Sequence, residues 1–207
     1  MLMKLLCTLV FATLITSCSN QQYIAMTESN QATFAAGCFW GVESVFMATE
    51  GVLSTEVGYT GGDNTRATYR EVCSGDTGHA EAVHITFDPK VVSYAQLLDI
   101  FFATHDATQV NRQDPDRDTQ YRTAIFVQDD EQRQIAVAAK KALDDSDQLP
   151  RPVATIIGDA VEFIRAEEYH QQYMPSFRSY LLKFHFWSWL VNRDVSSLVL
   201  LLVQQMH

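Results

Sequence analysis

The chain has 207 residues, of which 47% are hydrophobic, and this is enough apolar material to bury one sizeable core. A formal net charge of -10 argues against a surface for nucleic acid or anionic lipid, because such partners require clustered Lys and Arg. The four cysteines are too few and too unevenly placed for a disulfide-stapled scaffold, and none shows the C-x-x-C spacing of a metal or redox motif.

The N-terminal residues carry one lysine and then an apolar run that is too short for a spanning helix, as is typical of a secretory signal. The run ends at Ile15-Thr16-Ser17-Cys18, which resembles the lipobox of bacterial lipoproteins. We therefore predict a signal peptide over residues 1–17, lipidation of Cys18, and a location on the periplasmic side of the cell envelope. An ordinary signal peptide cut near Ser17 is the alternative. Residues 18–30 are mostly polar and predict a tether.

We predict that the catalytic domain covers residues 31–180. Hydrophobic periodicity predicts the order β-α-β-β-α-β with one added helix and one added strand. The predicted strands are 33–36, 53–59, 83–87, 123–127 and 153–157, and the predicted helices begin at Phe39, after Ser93 and at Glu131. The polar stretches 61–79 and 105–120 are predicted loops. This order predicts an α+β two-layer sandwich with a ferredoxin-like split βαβ core.

Cys38 lies between the first predicted strand and the first predicted helix. Unpaired N–H groups and the helix dipole stabilise a thiolate at such a position, so we expect a reactive thiol. An isolated cysteine is more often a small buried apolar residue. Phe39 and Trp40 follow it directly, and aromatic rings in a first helical turn indicate either a pocket wall or ordinary core packing.

Glu81 precedes Val83 by two residues, so in a strand it shares the face of Val83 and Ile85, which is expected to be buried. Burial raises the pKa of a glutamate above its usual value of about 4.3 and leaves a neutral acid that donates a proton near neutral pH. If the strand begins only at Ala82, Glu81 is instead a solvated loop residue.

Three motifs in chain order resemble the A-type peptide methionine sulfoxide reductases. They are Gly37-Cys38-Phe39-Trp40-Gly41-Val42-Glu43, Gly58-Tyr59-Thr60-Gly61-Gly62, and the segment from Tyr69-Arg70-Glu71-Val72-Cys73 through Gly78-His79-Ala80-Glu81. The likeness continues as far as Tyr169-His170-Gln171-Gln172-Tyr173 and covers about residues 31–175. It implies that family's fold and the reduction of the S epimer of methionine sulfoxide, free or in proteins, which repairs oxidised proteins.

The resemblance also implies a role for each matched residue. Cys38 would attack the sulfoxide sulfur and become a sulfenic acid, and Glu81 would protonate the oxygen. Tyr69 and Tyr121 would donate hydrogen bonds to that oxygen. The implied substrate-binding residues are Phe39 and Trp40, around the S-methyl group, and Asp116.

Many family members carry further cysteines near the C-terminus that attack the sulfenic acid, whereas no Cys follows Cys73 in this sequence. We therefore expect turnover by an external thiol, such as thioredoxin, glutaredoxin with glutathione, or dithiothreitol. We expect no bound cofactor. Cys73 as a replacement resolving residue is the alternative. The other expected partners are oxidised proteins and peptides, and a membrane only through the lipid anchor, with the protein a monomer.

Two further departures concern a loop and the C-terminus. Asp114 and Asp118 stand where the family has glycines, on either side of Asp116, which predicts weaker substrate binding if those glycines need positive φ. Residues 181–207 contain short apolar runs interrupted by charge and form a divergent tail, which we expect to pack on the domain or on a partner.

Two functions of other classes remain open from the residues alone. One is a lipid-anchored protein that binds methionine-like ligands with little catalysis. The other is a thiol hydrolase that pairs Cys38 with His79 or His170, which would require a Cys–His contact and an oxyanion hole.

Overall fold

The alternating and helically spaced apolar residues form a central sheet with helices packed against it. The computed structural model describes residues 30–63, 67–146 and 148–174. The signal peptide, Cys18, the tether up to residue 29, and the tail lie outside the described residues.

The described elements follow one another in this order: β1 Gln31–Ala36, α1 Phe39–Ala48, β2 Val52–Thr60, α2 Tyr69–Val72, β3 Ala80–Phe87, α3 Tyr94–Thr104, β4 Arg112–Gln113, β5 Asp116–Arg117, β6 Thr123–Val127, α4 Asp130–Asp144, β7 Ile156–Asp159 and β8 Ile164–Arg165. Two 3-10 turns, Thr119–Tyr121 and Glu168–His170, complete them. Within the described residues, no helix has both the length and the apolar character needed to cross a membrane.

The main sheet has the strand order β7-β6-β1-β3-β2-β8, and β4 pairs only with β5. All pairs in the main sheet are antiparallel except β6 with β7. Strands β1 and β2 are therefore parallel to each other with β3 between them, and α1 makes the crossover. Strands β3 and β6 are likewise parallel to each other, with β1 between them and α3 as the crossover. The predicted split βαβ core and the α+β class are confirmed.

Both crossover helices cover the same face of the sheet. Phe34 on β1 packs against Phe46 of α1, with ring centroids 5.5 Å apart, and against Phe101 of α3, at 5.1 Å. All three rings are fully buried. The opposite face carries a smaller apolar cluster of four alanines and Phe126, with Phe163 packed against it. Because side chains along a strand alternate between the two faces of the sheet, residues two apart on a strand lie on the same face.

The differences from prediction are confined to short elements. The predicted loop 61–79 contains α2, and the predicted loop 105–120 contains β4 and β5. The strand predicted at 153–157 lies at Ile156–Asp159, and β8 was not predicted. Elements of two to four residues are too short to show hydrophobic periodicity, and tertiary contacts hold them in place.

Four strand ends meet at one end of the sheet. Ala36, the last residue of β1, pairs with Thr123 at the start of β6. Thr60, the last residue of β2, pairs with Ala80 at the start of β3. The segments that leave or enter these strands therefore lie side by side, although they are far apart in sequence.

Gly37 makes the turn out of β1, and a side chain there is expected to destabilise the fold. Its φ is +91°, and a Cβ atom would lie 2.6 Å from Cβ of Gln113. We expect Gly37→Ala to lower the free energy of unfolding by about 2 kcal/mol or more, measured by urea denaturation. The matched control is Gly41→Ala, where a Cβ would meet nothing within 4 Å and the variant should be neutral or stabilised. Equal effects of the two variants would contradict this account.

Candidate active site

Cys38 occupies the position just before the first residue of α1 and is half-buried. The N–H groups of Trp40 and Gly41 stabilise its thiolate, as expected at a helix N-terminus, but they do not decide its titration. Burial and then the negative charge of Glu81 raise the pKa of Cys38 to about 11. The helix N-terminus favours the thiolate as predicted, but burial and the neighbouring carboxylates outweigh it, so the free thiol is mostly protonated at neutral pH.

Glu81 is the second residue of β3 and only 1% exposed. It lies on the helix-covered face, beside Tyr59 of β2, as the alternation with Val83 predicted. Burial raises its pKa to about 7, and the charge of Asp116 adds to this effect. The expectation of a buried glutamate with a raised pKa is confirmed, and the alternative of a solvated loop residue is wrong.

A single hydrogen bond connects Glu81 to the segment that carries Cys38. The N–H of Phe39, the residue directly after Cys38, donates to Oε2 of Glu81 over 3.0 Å. This bond favours the carboxylate and limits the rise of the pKa. Near neutral pH the site therefore contains a protonated thiol and a carboxyl group that is close to half protonated.

Two phenol groups share this environment. Tyr69 is the first residue of α2, and Tyr121 is the last residue of the first 3-10 turn. Burial raises the pKa of both phenols, and the charge of Glu81 contributes to each rise. The Cys73 thiol beside Tyr69 adds to the effect there. Both hydroxyls are therefore protonated hydrogen-bond donors across the neutral range.

The β4–β5 hairpin carries Asp116 to the same place. The side-chain amide of Gln113 donates to the carbonyl of Asp106 and accepts its N–H, at 3.1 and 3.0 Å, which anchors the hairpin. The carboxylate of Asp116 raises the pKa of Cys38 and of Glu81, so its charge acts on the site.

Of the two aspartates that replace family glycines, Asp118 has a φ of +117°, a conformation that favours glycine. Asp114 lies outside that region. Asp116 nevertheless reaches the site, and weaker substrate binding stays a prediction.

Trp40 and Phe39 differ in their exposure. Trp40 is half-buried, and its indole stacks on Tyr173 with ring centroids 4.0 Å apart. The indole N–H donates to Nδ1 of His170 over 3.1 Å. Phe39 is 1% exposed and packs against the rings of Tyr59 and His170. Trp40 is thus an accessible wall with a fixed orientation, and Phe39 is the packed base beneath it.

A family model described as peptide methionine sulfoxide reductase matches residues 30–188. The chain belongs to the peptide methionine sulfoxide reductase family. The reductase MsrA of Methanothermobacter thermautotrophicus is 48% identical over 163 residues, which are 77% of this chain and 96% of that protein. The family predicted from the sequence motifs is confirmed.

Solved structures of this family share the fold. Reduced Mxr1 of Saccharomyces cerevisiae is 34% identical with a TM-score of 0.66, over 72% of this chain and 85% of Mxr1. Methionine sulfoxide reductase A of Corynebacterium diphtheriae is 35% identical with a TM-score of 0.61, over 70% of this chain and 73% of that one. Mxr1 is also known in complex with Trx2, at 24% identity and a TM-score of 0.50.

The two histidines considered as partners for a thiol hydrolase have other hydrogen bonds in this family member. His79 accepts the N–H of Gly62 over 3.2 Å, and His170 accepts the indole N–H of Trp40. Both histidines are buried and hold the backbone or a ring in place. The geometry therefore does not support a Cys–His hydrolase.

Two glutamates of this reductase have roles in the site that the sequence did not predict. Glu43 on α1 is 1% exposed and accepts the hydroxyl of Thr55 at 3.0 Å and the N–H of Gln172 at 2.8 Å. Glu167 binds across to α2 and β2. Glu43 belongs to a quoted motif, and Glu167 lies beside the Tyr169–Tyr173 motif. A residue's position in a motif does not show which groups it bonds to, so these two roles could be assigned only from the structure.

Replacing Glu81 with glutamine is expected to change the pH dependence of stability. A pKa raised from 4.5 to about 7 on folding stabilises the native state below pH 4.5, and this contribution is lost as the pH rises through 7. The loss amounts to about 3 kcal/mol at pH 8. Urea denaturation should therefore find Glu81→Gln more stable than wild type at pH 8, by up to that amount, and no more stable at pH 4. A constant difference between the two pH values would contradict the raised pKa.

Proposed function

We propose that this chain reduces the S epimer of methionine sulfoxide with Cys38 as the nucleophile and Glu81 as the acid. The observation that carries this proposal is the buried Glu81 carboxyl, with a pKa near 7, hydrogen-bonded to the residue that directly follows Cys38. General acid catalysis is most efficient when the pKa of the acid lies near the working pH. The family assignment supports the same chemistry.

The proposed step transfers one oxygen atom. Sγ of Cys38 attacks the sulfoxide sulfur, and Glu81 gives a proton to the sulfoxide oxygen. The protonated oxygen then moves to Sγ of Cys38. A new bond forms between Sγ and that oxygen, while the bond from the oxygen to the substrate sulfur and the transient S–S bond both break, and Cys38 ends as a sulfenic acid. The substrate sulfur gains two electrons and the Cys38 sulfur loses two. The proton of the Cys38 thiol replaces the one that Glu81 donated, so methionine and sulfenic acid are the only products.

The neighbouring groups support this step. Tyr69 and Tyr121, held protonated by burial, donate hydrogen bonds to the oxygen and make the sulfur more electrophilic. Trp40, with Phe39 beneath it, receives the S-methyl group. Asp116 binds the rest of the substrate residue.

A polar cleft of about 820 Å³ lies between the segment after α2 and the segment before β6. It is lined by Asp63, Glu71, Ser74, Gly75, Asp76, Thr77, Gly78, Asn111, Thr119 and Arg122. The proposed reacting residues Cys38, Glu81, Tyr69 and Tyr121 are not among them.

Turnover requires a thiol that reduces the sulfenic acid. Thioredoxin is the proposed physiological reductant, since the related Mxr1 forms a complex with Trx2, and glutaredoxin with glutathione is the second candidate. Cys73 is exposed and lies beside Tyr69, which supports it as an internal resolving residue in competition with an external thiol.

A single-turnover assay tests the proposal. Wild type incubated with an S-sulfoxide peptide should form about one equivalent of methionine without reductant, and many equivalents with dithiothreitol. Cys38→Ser should form none. Glu81→Ala should slow the step by at least about a hundredfold while Cys38 can still be alkylated. Absence of the burst from wild type would overturn the reductase and favour the binding protein.

The same assay separates the two routes of turnover. Dimedone added after the burst should label Cys38 in wild type if the sulfenic acid waits for an external thiol. If Cys73 resolves it, wild type should lose two thiols and resist labelling, and only Cys73→Ser should be labelled. Parallel reactions with thioredoxin and with glutathione plus glutaredoxin then identify the reductant that gives the faster turnover.

We also propose that the protein is a lipoprotein of the cell envelope, anchored through Cys18. The apolar run over residues 1–17 and the Ile15-Thr16-Ser17-Cys18 sequence support this location. The full chain expressed in a bacterium should enter the membrane fraction and carry acyl groups by mass spectrometry. Cys18→Ser should not, whereas the control Cys73→Ser should behave as wild type. Equal partition of wild type and Cys18→Ser would contradict lipidation.

A further inference from the structure

Glu167 binds three separate parts of the active site. Its Oε1 accepts the backbone N–H of Tyr69 at 2.9 Å, and its Oε2 accepts the hydroxyl of Tyr59 at 2.9 Å. Its backbone carbonyl accepts the N–H of His170, also at 2.9 Å. The carboxylate thus joins α2 to β2, and the backbone carbonyl of the same residue joins them to the second 3-10 turn.

We propose that Glu167 is a positioning residue that aims the hydroxyl of Tyr69 at the sulfoxide oxygen. This inference rests on the proposed function, in which Tyr69 polarises the substrate. Helix α2 has only four residues, and a single turn has little stability of its own. Its first N–H groups lack partners within the helix, and Glu167 supplies one to the residue that carries the phenol.

The anchor behind Glu167 is rigid. Tyr59 is fully buried, and its ring packs against Phe39. The hydroxyl of Tyr59 therefore holds Oε2 of Glu167 in place by a hydrogen bond. The bond from the Tyr69 N–H to Oε1 then fixes the start of α2 relative to β2. The Glu71 and Thr68 capping box holds the helix only to itself and cannot orient it against the sheet.

The ring of Tyr69 also contacts the second 3-10 turn, which Glu167 precedes. Its centroid lies 4.5 Å from that of His170, whose other contacts include the indole N–H of Trp40. Glu167 precedes this turn, so one residue sets both the backbone of Tyr69 and the surface on which its ring rests. Displacement of Glu167 would move the phenol relative to Trp40 and Cys38.

The charge of Glu167 stays constant in the working pH range. Partial burial acts to raise its pKa, but the hydrogen bonds from Tyr69 and Tyr59 outweigh it and hold the pKa below the usual value. Glu167 is therefore a carboxylate throughout the range in which Glu81 titrates. Its removal should change the rate of the reductase step without moving the midpoint of the pH profile.

The test is a double-mutant cycle on the single-turnover rate of the full chain. Glu167→Ala should slow methionine formation about tenfold, because small displacements of a positioned group cost about that much. In a Tyr69→Phe background the same change should cost less than about twofold, since the hydroxyl it positions is gone. Glu167→Gln should keep most of the rate, because its amide oxygen still accepts the Tyr69 N–H. The matched control Glu168→Ala, at an exposed residue paired with Arg165, should behave as wild type.

Circular dichroism melting checks that each variant is folded. If Glu167→Ala does not fold, Tyr59→Phe removes only the Oε2 contact and should cost about threefold, again only when Tyr69 keeps its hydroxyl. A full loss from Glu167→Ala in the Tyr69→Phe background, a shifted pH midpoint, or a wild-type rate for Tyr69→Phe would each overturn the inference. Failure of the proposed function looks different, because wild type itself would then form no methionine.

Discussion

The hydrogen bond from the N–H of Phe39 to Glu81 is the contact on which the arrangement of the site depends. It joins the first turn of α1 to the start of β3, so it holds the proposed acid against the residue that follows the proposed nucleophile. A buried carboxyl without such a partner costs about 1–3 kcal/mol or more. The contact is possible because β1 and β3 are antiparallel, which brings the end of one beside the beginning of the other.

Burial and negative charge together suppress ionisation of Cys38, and burial has the larger effect. Glu81 and Asp116 both oppose ionisation of the thiol, and burial opposes it further. A thiol with a pKa near 11 is mostly protonated at neutral pH and reacts slowly with oxidants, since the thiolate is the nucleophile. A bound sulfoxide whose oxygen accepts a proton carries positive charge at sulfur, and this charge favours the thiolate beside it. The free thiol is therefore expected to react slowly with general electrophiles at neutral pH, and a bound, protonated sulfoxide would favour its thiolate.

Two carboxylates outside the reacting group bring the C-terminal turn into the site. Glu43 accepts the N–H of Gln172 from α1, and Glu167 accepts that of Tyr69 from α2. His170, which accepts the indole N–H of Trp40, lies between Glu167 and Gln172, and Tyr173, which stacks on one face of Trp40, follows Gln172 directly. Hydrogen bonds from the backbone to a carboxyl group restrict the position of the backbone more than apolar contacts do, because they depend on direction as well as distance.

The sequence by itself determined the layers of the fold and the residues that face them. Period-two alternation in β3 predicted that Glu81 shares the buried face if the strand extends to it, and helical spacing predicted that α1 begins at Phe39, because both depend on local geometry. Burial then raised the pKa of Glu81 as expected. The motifs around Cys38 and Glu81 identified the family because each is a continuous run of residues that can be read directly from the sequence.

Only the tertiary structure decided the titration of Cys38, the partners of Glu167 and the existence of α2, β4 and β5. The local position of Cys38 favours a thiolate, but the net pKa depends on burial and on carboxylates from other elements. Elements of two to four residues leave no periodic pattern, and they exist because distant side chains satisfy their backbone. Electrostatic fields and hydrogen-bond partners depend on distances in space, which no local pattern records.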